Sequence, residues 1–174
     1  DDLAKLRDAW DYRNELLVEQ PNGDFGQTIL RQYLFDAWHD LMLAGLRESS
    51  EIRVAEIAEK ASKEVRYHLE RSADTVIGLG DGTDESHHRM QAALNLLWPF
   101  VGEMLAPDDL DRELAGRGIA PDLEGRGADY HRAVGAVLAE ATRDIPTDPF
   151  THLGGKSGMR HSEHLGHMLT QMQW

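Results

Sequence analysis

The residues most capable of chemistry lie at helical spacing in the first half of the chain. Glu64 and His68 are four residues apart and in line with apolar residues, so a helix would place them on one face. Gln32, Asp36 and His39 follow a similar pattern beside an apolar ridge. In a helical bundle, carboxylates and histidines that project inward from facing helices are the ligands of di-iron sites. These positions therefore predict a site related to a di-iron centre.

The ligand pattern of such a site is broken at Tyr67. A di-iron bundle uses Glu-x-x-His, because a spacing of three places both side chains on one metal. Tyr67 stands three places after Glu64, and the histidine follows one place later as His68. Ionisable groups inside a bundle are costly unless each has a partner. We therefore predict that Asp36, Glu64, Tyr67 and His68 form a buried polar network that holds no metal.

Three histidines near the C-terminal end, His161, His164 and His167, offer a second possible metal site. If they lie on one helix, each three-residue step turns the side chain by about 60°, so the outer two diverge. Two interpretations stay open, a metal site and a histidine cluster at the surface or at a partner interface. The divergence favours the second.

Two further motifs carry little information. Gly78 and Gly80 resemble the start of a dinucleotide-binding fingerprint, but they follow a predicted helix and not a strand, which favours a helix end. Arg143, Lys156 and Arg160 form a modest basic group that suits either a phosphate or acidic neighbours within the chain.

Charge and composition exclude several classes of protein. The 174 residues include 18 Lys and Arg against 31 Asp and Glu, a net charge of −13, which disfavours nucleic acid and anionic membranes as partners. No apolar run approaches the ~20 residues that span a bilayer. The chain has no cysteine, so it has neither disulfides nor thiolate ligands. We predict a cytoplasmic protein.

The elements that must position these residues are helices. Helical periodicity dominates, and no stretch alternates polar and apolar residues long enough to indicate a sheet. Four long helices with short connections indicate an all-α bundle with short appended helices. The predicted helices cover residues 2–18, 25–47, 50–77 with a cap at Ser49 or Ser50, 84–105 with a Thr83 cap and a kink at Pro99, 107–116, 128–143, and a last helix from about 161.

A turn separates the first two predicted helices. Its residues are Gln20, Pro21, Asn22, Gly23 and Asp24, which combine proline with Asn-Gly, a strong breaker of helices. The turn has two interpretations, an interface element and a tight connection.

Five segments carry a family resemblance. LLVEQPNGDF, ILRQYLFDAWHDLM, KEVRYHLERS, LGDGTDESHHRMQAALNLLWPF and HSEHLGHMLTQMQ together resemble the phenylacetic acid catabolic protein family, over nearly the whole chain and in one order. The resemblance implies one ferritin-like helical domain over residues 1–174, with a further N-terminal helix and a short C-terminal tail in related proteins. It also implies a non-catalytic structural subunit of a multicomponent di-iron oxygenase that epoxidises the ring of phenylacetyl-CoA.

The expected partners follow from the same resemblance. They are a homologous catalytic subunit, which holds the irons and the CoA thioester, a reductase, and a small assembly subunit. No cofactor is expected in this chain itself. Two other hypotheses stay open, a self-sufficient di-iron or iron-binding protein and a homodimeric helical binding module.

Overall fold

The computed structural model of the chain describes residues 6–147 and 150–173, and these residues contain helices but no strand. The prediction of an all-α fold is confirmed. Two 3-10 helices, Ala9–Asp11 and Trp98–Phe100, accompany the α-helices. The α-helices are α1 (Phe25–Leu46), α2 (Ile52–Gly80), α3 (Asp84–Leu97), α4 (Val101–Leu105), α5 (Asp109–Gly116), α6 (Arg126–Glu140) and α7 (Glu163–Met172).

Helix α1 is the central element of the bundle. It packs along α2 most extensively, and also against α3 and α6. Apolar side chains point from it in several directions, as expected for a helix surrounded by others. Tyr130 of α6 is fully buried, and its hydroxyl donates to the Leu34 carbonyl at 3.0 Å. We call the cluster that these four helices bury the apolar core; its fully enclosed side chains include Leu30, Leu34, Val76, Met90, Leu94, Leu97, Val134 and Leu138.

The predicted helix ends are partly right. Thr83 caps α3 in a capping box with Ser86, and Pro99 lies in the 3-10 segment that separates α3 from α4, so both predictions are confirmed. Helix α2 does not stop before its glycines but runs to Gly80. A Cβ at Gly80 would lie 2.4 Å from the Ala141 carbonyl oxygen, so close packing explains this glycine better than a helix end does.

The N-terminus of α2 also differs from the prediction. Its cap is Glu51, which makes no side-chain capping bond. Ser49 Oγ accepts from the Glu51 amide, and Ser50 contacts residues 117 and 118 across a loop. Neither serine therefore caps the helix.

The predicted first helix is wrong for its described part, residues 6–18. Only Ala9–Asp11 form a helix there, and residues 15–20 form successive hydrogen-bonded turns. The Asn14 amide donates to the Gly155 carbonyl, and the Leu16 amide donates to the Glu103 carboxylate, so distant acceptors replace those of a helix. Residues 1–5 lie outside the described part. Within the described ranges, no helix has the length and apolar character needed to cross a membrane.

Candidate functional site

Asp36 is the one predicted site residue that lies inside the bundle. Its relative exposure is 2%. One carboxylate oxygen accepts from Gln32 Nε2 at 2.7 Å, and the other lies 3.5 Å from Ser72 Oγ on α2. Burial raises the pKa of Asp36, while these hydrogen bonds and the nearby His68 and His39 act in the opposite direction.

His39 lies one turn further along α1 than Asp36. Its ring centroid is 5.5 Å from that of Phe35 and 6.4 Å from that of Trp38. Burial lowers the pKa of His39, and the carboxylates of Asp36 and Asp40 oppose that shift. An aromatic and acidic environment thus surrounds a histidine that sequence reasoning placed correctly beside Asp36.

Glu64, Tyr67 and His68 are exposed, so the predicted buried network is wrong for these three residues. Tyr67 alone exposes 61% of its surface. The buried stripe of α2 runs through Ser62, Val65 and related positions, and each residue of a helix turns by about 100° from the last. Glu64 therefore points well away from Val65 and toward solvent.

The described residues do not fit the iron site of a di-iron helical bundle. Within residues 6–147 and 150–173, no group of three or more His, Asp or Glu side chains is arranged to hold a metal ion. Asp36 is instead occupied by the neutral donors Gln32 and Ser72. The arrangement is that of a hydrogen-bonded carboxylate in a helical interface.

Sequence reasoning missed one Glu-x-x-His spacing, Glu85 to His88 in the first turn of α3. Both side chains are exposed, and Glu85 pairs with Arg89 Nε at 2.6 Å. Because this pair faces solvent, it does not supply an inward ligand.

Sequence reasoning also missed Glu103, the most heavily bonded carboxylate of the chain's described part. Its exposure is 2%, and its oxygens accept from the amides of Leu16 at 2.9 Å and of Gly154 and Gly155 at 2.7 Å each. The Lys156 amide adds a longer contact of 3.4 Å. A single acid in the apolar run WPFVGEML was the available signal, and it predicts a buried acceptor.

Two further glutamates lie buried in the same region. Glu19 accepts from the Ser162 amide at 2.6 Å and lies 2.7 Å from His161 Nδ1. One oxygen of Glu15 is buried without a hydrogen-bond partner in the described part. Burial raises the pKa of Glu15 to about 8; Lys156 lowers it, and Glu103 adds to the increase.

The three C-terminal histidines do not converge. His161 precedes α7 and is buried against Glu19, His164 lines a cleft, and His167 is exposed. The interpretation as a shared metal site is therefore wrong.

The basic group is equally dispersed. Lys156 pairs with Asp111 at 2.5 Å, Arg143 contacts the carbonyl and ring of His87, and Arg160 is exposed. The chain's own groups thus bind two of these three cations, and no phosphate site forms among these described residues.

The turn from Gln20 to Asp24 is ordered by side chains of α1. Arg31 donates to the Gln20 carbonyl and to Asn22 Oδ1, and Gln27 donates to the Pro21 carbonyl at 3.0 Å. Asp24 caps α1 by accepting from the Gln27 amide at 2.9 Å. These contacts show a tight connection; part of the turn also borders a cleft of about 460 Å³ beside α7.

Comparisons with known proteins agree with the helical architecture. A family model described as phenylacetic acid catabolic protein matches residues 1–174. The chain is also similar to the C-type subunit of 1,2-phenylacetyl-CoA epoxidase from Escherichia coli strain K12. The two are 45% identical over 174 residues, which is 100% of this chain and 70% of the relative.

Proposed function

The chain belongs to the phenylacetic acid catabolic protein family, and from this premise we propose that it is a non-catalytic structural subunit of a multicomponent oxygenase. The enzyme would epoxidise the ring of phenylacetyl-CoA in phenylacetate catabolism. The similarity to the C-type epoxidase subunit of Escherichia coli supports this reaction.

One observation carries the proposal that this subunit is non-catalytic. Of the four predicted site residues, Asp36 alone is buried, and its carboxylate is already bonded to Gln32 and Ser72. Glu64 and His68 face solvent on α2. A di-iron centre needs several carboxylates and two histidines that converge inside one bundle, and α1 and α2 do not provide that set.

The catalysis is then assigned to partners. A homologous catalytic subunit would hold the irons and the CoA thioester, a reductase would supply electrons, and a small subunit would assist assembly, all in the cytoplasm. The role of this chain would be to support the catalytic bundle so that its ligands keep their geometry.

Metal analysis of separately purified subunits tests the proposal. We expect no stoichiometric iron in this chain after expression in iron-supplemented medium, and iron in the homologous catalytic subunit prepared in parallel. Two irons per chain in this protein would overturn the proposal and favour a self-sufficient di-iron protein.

Co-purification tests the partnership. When the two subunits are co-expressed, light scattering after size exclusion should give the mass of a heteromer. A homodimer of this chain that excludes the catalytic subunit would instead favour the homodimeric binding module.

A further inference from the structure

A cleft separates the segment of residues 12–22 from α7. Its volume is about 460 Å³, and we call it the α7 cleft; its lining includes Val18, Arg31, Leu165, Met168, Leu169 and Met172.

The side of the cleft formed by α7 is apolar and open to solvent. Leu165 and Leu169 face inward and are 4% and 5% exposed. Met168 and Met172, four residues apart, are 50% and 49% exposed, and Val18 on the opposite wall is 41% exposed. Methionine side chains adapt to varied apolar partners, which suits a protein-binding surface. Half-exposed walls are less suited to a small molecule, since small-molecule sites bury most of their ligand.

The same cleft contains a cation, Arg31, whose charge is not balanced by a carboxylate among the described residues. Arg31 donates to the Gln20 carbonyl and Asn22 Oδ1, and burial lowers its pKa. It forms no ion pair with a carboxylate in residues 6–147 or 150–173. Glu19 also lines the cleft, but its oxygens are occupied by His161 and the Ser162 amide. In a chain of net charge −13, such a cation is complementary to a carboxylate on another molecule.

We propose that the α7 cleft receives an amphipathic helix of the catalytic partner subunit. Apolar residues of that helix would pack against Met168 and Met172, and an acidic residue would face Arg31. This is the helix-in-groove mode of recognition, in which residues spaced by three and four anchor one apolar face. The inference rests on the proposed function, because it assigns a surface to that partnership.

A matched pair of variants tests the surface. Met168→Asp with Met172→Asp places two charges on the cleft wall, whereas Leu96→Asp with Leu110→Asp places two on α3 and α5 at residues that are 50% and 52% exposed. We expect the methionine double variant to weaken binding of the purified catalytic subunit by roughly 30-fold, and the leucine control to leave it within about 3-fold. Circular dichroism melts of each variant establish that the helices are retained.

The outcomes separate this inference from the proposed function. Wild-type chain that fails to bind the catalytic subunit would overturn both. Wild-type binding that the methionine double variant retains in full would overturn the inference alone. Loss of a homodimer, with binding of the catalytic subunit unchanged, would also overturn it and assign the cleft to a second copy of this chain.

Two measurements keep the test decisive if the aspartates perturb α7. A photo-crosslinking residue at position 168 should crosslink to the catalytic subunit, and one at position 96 should not. Arg31→Gln should slow association several-fold at low salt, while Arg31→Lys, which keeps the charge, should not. Crosslinking at 96 but not at 168 would contradict the proposal.

Discussion

The apolar core and the region where residues 12–20 meet residues 152–162 are held by different interactions. In the apolar core, α1, α2, α3 and α6 enclose aliphatic and aromatic side chains, and the polar contacts are few, such as the Tyr130 hydroxyl on Leu34. The second region, which we call the carboxylate-held region, has little regular structure. Buried carboxylates of Glu103 and Glu19 join its two segments of chain by accepting from backbone amides.

The two regions therefore depend on different interactions for their stability, apolar burial in one and hydrogen bonds to buried carboxylates in the other. Burial of apolar surface is non-directional and does not change with the charge of any group. Hydrogen bonds from several amides to one carboxylate are directional. Removal of the carboxylate leaves those buried N–H groups without an acceptor. We therefore expect the carboxylate-held region to respond to single polar substitutions and to pH, and the apolar core to respond to changes of volume.

The largest effect is expected for Glu103→Ala. The substitution removes the acceptor of three short hydrogen bonds from backbone amides. We expect it to lower the free energy of unfolding by about 4 kcal/mol. Hydrogen exchange should show lost protection at the amides of Leu16, Gly154 and Gly155. The measurement is chemical denaturation combined with residue-resolved exchange.

Leu34→Ala serves as the matched control in the apolar core. It should cost about 3 kcal/mol through a cavity and reduce protection throughout α1, α3 and α6. If Glu103→Ala instead reduced protection equally in both regions, they would unfold as one unit and the comparison would fail.

A smaller, pH-dependent effect is expected for Glu15→Gln. The pKa of Glu15 is raised from 4.5 to about 8 in the folded chain, so the folded state holds the proton more tightly than the unfolded state. The stability contributed by this proton is complete below pH 4.5 and is lost as pH rises toward about 8. A glutamine side chain has no proton to lose in this range, so the variant should exceed the wild type by about 2 kcal/mol near pH 9 and equal it near pH 4.

Thermal melts across this pH range measure the difference. Glu113→Gln, at an exposed carboxylate of α5, provides the control and should show no such pH trend. A constant difference between wild type and Glu15→Gln at every pH would show that ionisation of Glu15 is not the cause.

The smallest effects are expected outside both regions, on the exposed face of α2. Glu64→Gln and His68→Gln should each change the free energy of unfolding by less than about 0.5 kcal/mol, because both side chains face solvent. Asp36→Ala, at the buried carboxylate nearby, should cost about 1 kcal/mol, the net value of the hydrogen bond from Gln32, whose exposed amide can then bond to water. Equal, large losses of stability at Glu64, His68 and Asp36 would instead support the buried network, which the structure contradicts.

The sequence predicts those parts of the fold whose signals are local. The Thr83 cap, the break at Pro99 and the long apolar pattern of α1 all depend on residues within a few positions of one another, and the structure confirms each. The Leu16 amide and the Glu103 carboxylate are 87 residues apart in the sequence. No local pattern could therefore predict that residues 12–18 are not helical.

The predicted orientation of α2 is wrong for a different reason. Its sequence carries two apolar stripes, one that includes Ile57 and one that includes Ala58 and Val65. Only packing against α1 decides between them, and it buries the second stripe, while Ile57 is 69% exposed. The prediction for Asp36 is correct because α1 packs against α2, α3 and α6, and Asp36 lies on a part of its surface that faces α2.

The position of Glu103 also constrains the order in which the chain can fold. It connects a segment 87 residues earlier with one about 50 residues later, so two long loops must close before its oxygens find their amides. The entropy of closing such loops is lost before any bond forms, whereas α1 and α2 meet across a connection of a few residues. The α1–α2 hairpin therefore has the kinetic advantage, and we expect the carboxylate-held region to assemble after this hairpin has formed.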